Sequence, residues 1–191
     1  MPEPVPRYET DSWRPELEGF SRDVLPFYHR IAQILPMGAR MVEVGTALGR
    51  SAIYMAERLV RKGDRDARIY CVDTWGDFAP DWWDRFLRSL LKNATSEERG
   101  LIYPLRIEAI VRGARLFVDW SLDFVFIDGS HKYPDVLLDI ESWAPKVKPG
   151  GMLAGHDFDH EGVERAVREY HDHGAHQIPF EVADTCWWLK R

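Results

Sequence analysis

The sequence predicts an α/β protein, a doubly wound and mostly parallel sheet with helices on both faces. Two observations lead there. Apolar runs of strand length, "ARMVEV", "ARIYCVD", "LDFVFID" and "GGMLAGHD", alternate with helical patterns such as "RSAIYMAERLVRKG" and "HEGVERAVREYHDH". A glycine-bearing turn, Gly45 to Gly49, joins the first of these runs to the first helix of the alternation. Alternation of this kind implies right-handed crossovers and a sheet covered on both sides.

In order, residues 1–12 are rich in Pro and Glu and read as extended. Residues 21–35 predict a helix with Pro26 near its first turn. Residues 39–44 predict the first strand. A helix follows over 50–63, with Ser51 near its start and Gly63 as its stop. A second strand falls at 67–73. Residues 74–100 hold a Trp-rich loop and then a helix around "DWWDRFLRSLLKNA". A third strand is expected near 103–108, and "ARLF" belongs to a helix. The run 122–128 is the fourth strand. A helix over 133–147 has Pro134 in its first turn, where proline fits. The fifth strand is 150–157 and the next helix 160–173. "PFEVA" and "CWWLK" predict a closing pair of strands, with Trp187 and Trp188 facing opposite sides.

With 191 residues the chain is long enough for one domain with a substantial core. It is 45% hydrophobic and 29% charged, an ordinary globular balance. The net charge of −6 argues against a nucleic-acid partner, which wants a basic face. No apolar run approaches a membrane span, and "MPEPVPRYETDSW" lacks the apolar core of a signal peptide, so a soluble cytoplasmic protein is expected. Cys71 and Cys186 lie in strand-like runs and read as small buried hydrophobes. Trp82, Trp83 and Phe86, at helical spacing, read first as core. A wall of an acceptor pocket and a homodimer contact are the alternatives.

In such sheets ligands bind beyond the carboxyl ends of the strands. "VEVGTALGRS" has glycines four apart, so it is neither the dinucleotide-binding G-x-G-x-x-G pattern nor a Walker loop. Gly45 and Gly49 would let the backbone turn sharply and approach a ligand, and the helix start beyond offers free N–H groups. Asp73 ends the second strand, where an acid can accept from both ribose hydroxyls. The plain alternative is a cap for the following turn. Glu43 is acidic at an otherwise buried strand position, and a ligand's ammonium group is one partner that would justify it. Loop amides are the other.

Asp128 ends the fourth strand, and His156 and Asp157 end the fifth. If those strands are neighbours, their tips bring the two aspartates within reach of one divalent ion, which would relieve their repulsion. Oxygen ligands suit Mg²⁺, whereas an imidazole among them shifts the preference toward Mn²⁺ or Fe²⁺. His131, three residues after Asp128, is placed to lean over the same pocket and take a proton at neutral pH. Capping of turns by the aspartates and of a helix by His131 is the structural alternative. Asp159 and His160 read as the lead-in to the next helix. "HDHGAH" (171–176) reads as a solvated loop.

"VEVGTALGRS", "CVDTWGD", "SLDFVFIDGSHKYPDVLLDIESWAPKVKPGGMLAGHDF" and "HEGVERAV" together resemble the class I S-adenosylmethionine-dependent methyltransferases. Within them the chain is most similar to the branch of metal-assisted small-molecule O-methyltransferases. That branch also holds proteins labelled cephalosporin hydroxylase and macrolide sugar methyltransferases. The resemblance runs from about residue 39 to 170 and implies a Rossmann-like, seven-stranded sheet whose last strand is antiparallel. It implies an N-terminal extension and helix, residues 1–38, packed on an S-adenosylmethionine-binding domain, residues 39–191. It implies that Glu43, Gly45, Gly49 and Ser51 surround the methionine part of the cofactor, with Thr46 and Asp128 also cofactor-binding. Asp73 would hold the ribose, Trp75 would cover the adenine edge, and Glu108 is a further adenine candidate. It places metal ligands at Asp128, His156 and Asp157 and a proton-accepting residue at His131. Relatives often carry an acid where this chain has His156. The expected activity is methyl transfer to a small hydroxylated molecule, with Mg²⁺ or Mn²⁺ as the assisting ion. A binding domain without turnover and a non-haem iron oxygenase are the alternatives.

Overall fold

The computed structural model describes residues 22–76, 79–107, 112–175 and 178–191. Glu108, most of the N-terminal extension and His176 lie outside the described residues.

Seven strands form one sheet: β1 (Arg40–Val44), β2 (Arg68–Asp73), β3 (Ile102–Arg106), β4 (Leu122–Ile127), β5 (Val147–Gly155), β6 (Phe180–Ala183) and β7 (Cys186–Lys190). Their spatial order is β3-β2-β1-β4-β5-β7-β6. β1, β2, β3, β4 and β5 run parallel, and β7 is antiparallel to both β5 and β6. This is the doubly wound sheet with an antiparallel last strand that the sequence predicts. The central strands are apolar on both faces because helices cover both. All six residues of β4 are buried, and only Arg40 of β1 is exposed.

Helices α1 (Leu25–Ile34), α2 (Arg50–Arg61) and α3 (Trp82–Asn93) cover one face. A 3-10 turn, Arg22–Val24, leads into α1, and Pro26 sits in its first turn. Phe27 of α1 packs against Phe124, Phe126 and Trp188, with ring centroids 5.5 to 6.4 Å apart. Helices α5 (Tyr133–Trp143) and α6 (Glu161–Tyr170) cover the other face around Trp143, Val125 and Trp187. Trp187 and Trp188 thus enter opposite cores, as strand alternation requires. Cys71 and Cys186 are free and buried.

Three elements differ from expectation. The described part of "HDHGAH", expected as a solvated loop, is a π-helical turn, His171–Ala175, after the helix that ends at Tyr170. A short helix, α4 (Ser96–Gly100), is closed by a reciprocal Thr95–Glu98 capping box. The "KPGG" stretch lies inside β5 rather than before it. Leu122 pairs with Val147 and Phe124 with Met152, so the extra residues bulge out, and Gly150 takes a φ of +81° there.

Candidate functional site at the strand tips

The hydrogen-bond ladder continues past the strand ends. Gly45 N donates to Val72 O, Asp128 N to Val44 O and His156 N to Ile127 O, at 2.8 to 3.0 Å. The tips of β2, β1, β4 and β5 are therefore pinned side by side. β1 lies between β2 and β4, so the order of the strands reverses there and a crevice opens. Gly45, at φ +87°, lets the loops after β1 and β4 touch; a Cβ there would stand 2.1 Å from the Asp128 carbonyl oxygen. Three non-glycine residues in the left-handed region, Ala47, Trp75 and Asp157, also lie at these tips. Strain of that kind persists where surrounding structure holds it.

Beneath the glycine loop sits a buried polar group. Glu43 is 1% exposed and accepts hydrogen bonds from Ser51 Oγ and Tyr28 Oη, each at 2.7 Å. Burial pushes its carboxyl up to about 8, against the lowering effect of the two hydroxyls. Thr46 is also buried, its Oγ1 turned toward the Glu43 carbonyl. Its carbonyl accepts from Gly49 N at 2.9 Å, closing the tight turn into α2. Glu43, Thr46 and Ser51 thus support the loop from below.

Asp73 organises the loop from the side. Its Oδ2 accepts from Ala47 N at 2.9 Å and its Oδ1 from Trp75 N at 2.7 Å. Trp75 departs from the place expected of it. Its indole is 1% exposed, donates from Nε1 to Ala47 O at 2.6 Å, and packs on Trp83 and Phe86. A left-handed backbone turns the ring inward, so it braces the glycine loop instead of lying open over it. Trp82 and Phe86 are buried in the same cluster.

At the tips of β4 and β5, Asp128, His156, Asp157 and His131 come together. His156 is 7% exposed. Its Nδ1 stands 3.4 Å from Asp128 Oδ1 and 3.1 Å from Asp157 Oδ1, an ion-pair approach to both carboxylates. Its Nε2 is 2.9 Å from Asp23 Oδ2 and 2.8 Å from Thr185 Oγ1. Burial, the largest single influence, works against a charge on this ring. The carboxylates of Asp128, Asp157 and Asp23 outweigh it together and push the imidazole up to about 12. Burial works upward on Asp157, but the rings of His156, His131 and His160 hold it below the usual carboxylate range.

His131 is half-exposed, with Nε2 2.7 Å from Asp157 Oδ2 and its ring 4.6 Å from that of His160. Helix α6 fixes it there. Gly162, in the first turn, comes so close to the loop that a Cβ would stand 2.2 Å from the His131 carbonyl oxygen. His160 is the N-cap residue of α6, consistent with its reading as the lead-in to that helix. Among the described residues, Asp128, His131 and Asp157 bring one donor atom each within 4.8 Å of one another, a set that could hold an ion. Tyr28, Asp23 and Thr185 join the site from segments that sequence reasoning had not connected with it.

A cavity of about 650 Å³ lies at the other end of the sheet, lined by Leu35, Phe124, Gly150 and Lys190 among others. It is away from the strand tips where ligands of such sheets bind.

The sheet is doubly wound, and the tip cluster at the carboxyl ends of its strands is the candidate site. Residues 42–158 match the family described as "Methyltransferase domain", and the chain belongs to that family. A curated relative, the uncharacterized protein y4gI of Sinorhizobium fredii, is 30% identical over 145 residues. The match covers 75% of this chain but 15% of that protein, so the chain spans only a small part of its length. Solved structures share the fold. A protein from Corynebacterium glutamicum has a TM-score of 0.70 at 12% identity, covering 96% of this chain and 87% of its own. CalS11, a TDP-rhamnose 3′-O-methyltransferase of calicheamicin biosynthesis, has a TM-score of 0.67 at 16% identity over 99% of this chain and 88% of its own. TomG of Streptomyces achromogenes, an O-methyltransferase solved in complex with S-adenosylmethionine, has a TM-score of 0.64 at 16% identity over 96% and 88%.

Proposed function

We propose that this chain is an S-adenosylmethionine-dependent O-methyltransferase that acts on a small hydroxylated molecule with the help of a divalent ion. The observation that carries this reading is the convergence of Asp128, His131, His156 and Asp157 beside the glycine loop after β1. Membership of the methyltransferase-domain family supports the cofactor assignment.

When bound, S-adenosylmethionine supplies an electrophilic methyl group on a sulfonium, ready for in-line displacement. Gly45 and Gly49 let the backbone approach the methionine end. Glu43 acts there through the Ser51 hydroxyl it holds. Asp73 receives the ribose; each carboxylate oxygen has two lone pairs, so its bonds to Ala47 and Trp75 leave this role open.

The donor set fits a divalent ion. Asp128, His131 and Asp157 each bring one donor atom within 4.8 Å of the others, and His156 Nδ1 faces the two aspartates at 3.4 and 3.1 Å. Asp128 and Asp157 would hold the ion, His156 joining them only by giving up the Nδ1 proton that the surrounding carboxylates favour, and the ion would supply Lewis acidity to the acceptor hydroxyl. Two carboxylates and an imidazole favour Mn²⁺ over Mg²⁺.

His131 is the proton acceptor. With Nε2–H donating to Asp157 Oδ2, the lone pair is on Nδ1. Nδ1 would take the proton of the acceptor hydroxyl, leaving its oxygen free to act as the nucleophile toward the cofactor's methyl group. The half-exposed ring then returns that proton to solvent.

The test is mass spectrometry of small hydroxylated candidates incubated with trideuteromethyl-labelled S-adenosylmethionine, with and without EDTA. Label on an acceptor oxygen, lost with EDTA, is the expected result. Label on nitrogen or carbon would overturn the O-transfer reading, and undiminished transfer in EDTA would overturn the ion's role.

A further inference from the structure

His160 occupies the N-cap of α6, a place where Ser, Thr, Asp or Asn ordinarily closes the helix through its side chain. The His160 side chain makes no capping bond. It is exposed, so it does not serve the core either. Its ring lies 4.6 Å from the ring of His131, centroid to centroid, with the planes 35° apart. Flat rings at this separation attract one another in an offset arrangement.

The backbone sets this placement. Asp157 takes a left-handed φ of +55°, and its carbonyl accepts from His160 N at 2.9 Å, closing a tight turn after β5. The His160 carbonyl accepts from Val163 N at 3.0 Å and Glu164 N at 2.9 Å, fastening that turn to α6. Gly162 brings the first turn of α6 against the His131 carbonyl. One short segment therefore carries two neighbours of His131. The Asp157 carboxylate stands 2.7 Å from its Nε2, and the His160 ring lies against its face.

The two neighbours restrict different motions. A contact at Nε2 fixes one point of a half-exposed imidazole, and the ring can still pivot about that point. The torsion that turns such a ring has broad wells. A second ring against its face fixes the plane, and with it the direction of Nδ1.

We propose that His160 is a positioning residue that acts through His131, holding the plane of its imidazole by stacking so that Nδ1 faces the acceptor hydroxyl. This rests on the reading of His131 as the proton acceptor. It gives the N-cap side chain of α6 a part in the reaction in place of helix closure.

The test compares His160→Ala and His160→Phe with the wild type in the whole chain. Phe keeps a ring that can stack and has no nitrogen to give or take a proton. The first readout needs no acceptor: long-range ¹H–¹⁵N spectra, at a pH where the ring is neutral, show which nitrogen of His131 bears the proton. Wild type and His160→Phe should hold it on Nε2, and His160→Ala should show a mixture of the two tautomers. With an accepted substrate, kcat should fall about 10- to 100-fold in His160→Ala while KM and S-adenosylmethionine affinity stay the same. Most of kcat should return in His160→Phe. Unchanged His131 spectra and kcat in His160→Ala would overturn the proposal. A His160→Phe variant as slow as His160→Ala would also overturn it, because the ring nitrogens and not the stack would then matter. If His131→Ala transfers methyl at the wild-type rate, the proton-acceptor reading fails and the proposal with it, and the spectra then report the stacking alone.

Discussion

His131 and Glu43 show how single side chains acquire their behaviour from their surroundings. His131 is oriented by Asp157 at 2.7 Å and stays half-exposed, a combination that suits a group that must take up a proton and release it. His131→Ala is expected to slow methyl transfer by about 10²- to 10⁴-fold while S-adenosylmethionine affinity stays the same. Steady-state kinetics with a labelled cofactor, alongside calorimetry, measures both. Glu43 is buried between Tyr28 and Ser51, and burial raises its carboxyl from 4.5 to about 8. Between those values the folded protein holds a proton that the unfolded chain has released. Stability therefore falls as pH rises through that window and levels off above it. Glu43→Gln removes this slope, so the variant should gain on the wild type as pH rises. Urea melts at about pH 5 and about pH 9 would show the gain, and parallel losses in both proteins would contradict it. The acid at position 43 was legible in the sequence as one needing a partner. Its partner Tyr28 was not, because α1 reaches it across the domain from 15 residues away.

At the scale of elements, the close approach of α6 to the loop after β4 places His131. A Cβ on Gly162 would collide with the His131 carbonyl, and backbone cannot yield as a flexible side chain does. Gly162→Ala should shift that loop, destabilise the fold by about 1–3 kcal/mol and lower kcat more than cofactor affinity. A variant with full kcat would show that the loop adapts. The β2–loop–α3 region makes the complementary case. The family resemblance implies Trp75 as a ring over the adenine edge. Nothing local announces its left-handed backbone, and the Trp83–Phe86 cluster that receives the indole is on a different element. Trp75→Phe keeps the packing but loses the bond to Ala47 O, and should weaken S-adenosylmethionine binding modestly, by about 1 kcal/mol. The short helix α4 was missed although "TSEE" carries its capping-box signal. The bulge in β5 was missed because "KPGG" reads equally as a turn.

The whole molecule was legible where information is local. Alternating apolar runs and helices set the sheet, and the strand-end acids fell where the chain reverses. Contacts between remote segments were not legible. Asp23, Thr185 and Tyr28 reach the site only once the N-terminal turn, the hairpin and α1 have packed on the sheet. The histidine at 156 is intelligible only with them. As a strand-tip residue it is one polar group among several; in the fold it has a carboxylate behind it and two in front. The described residues contain no helix long and apolar enough to cross a membrane. The central claim concerns the cofactor, and calorimetric titration of S-adenosylmethionine and of NAD against the wild type and Asp73→Ala tests it most directly. S-adenosylmethionine should bind the wild type, Asp73→Ala should weaken it at least about tenfold through loss of the ribose contact, and NAD should not bind. Tight binding of NAD with none of S-adenosylmethionine would contradict the account.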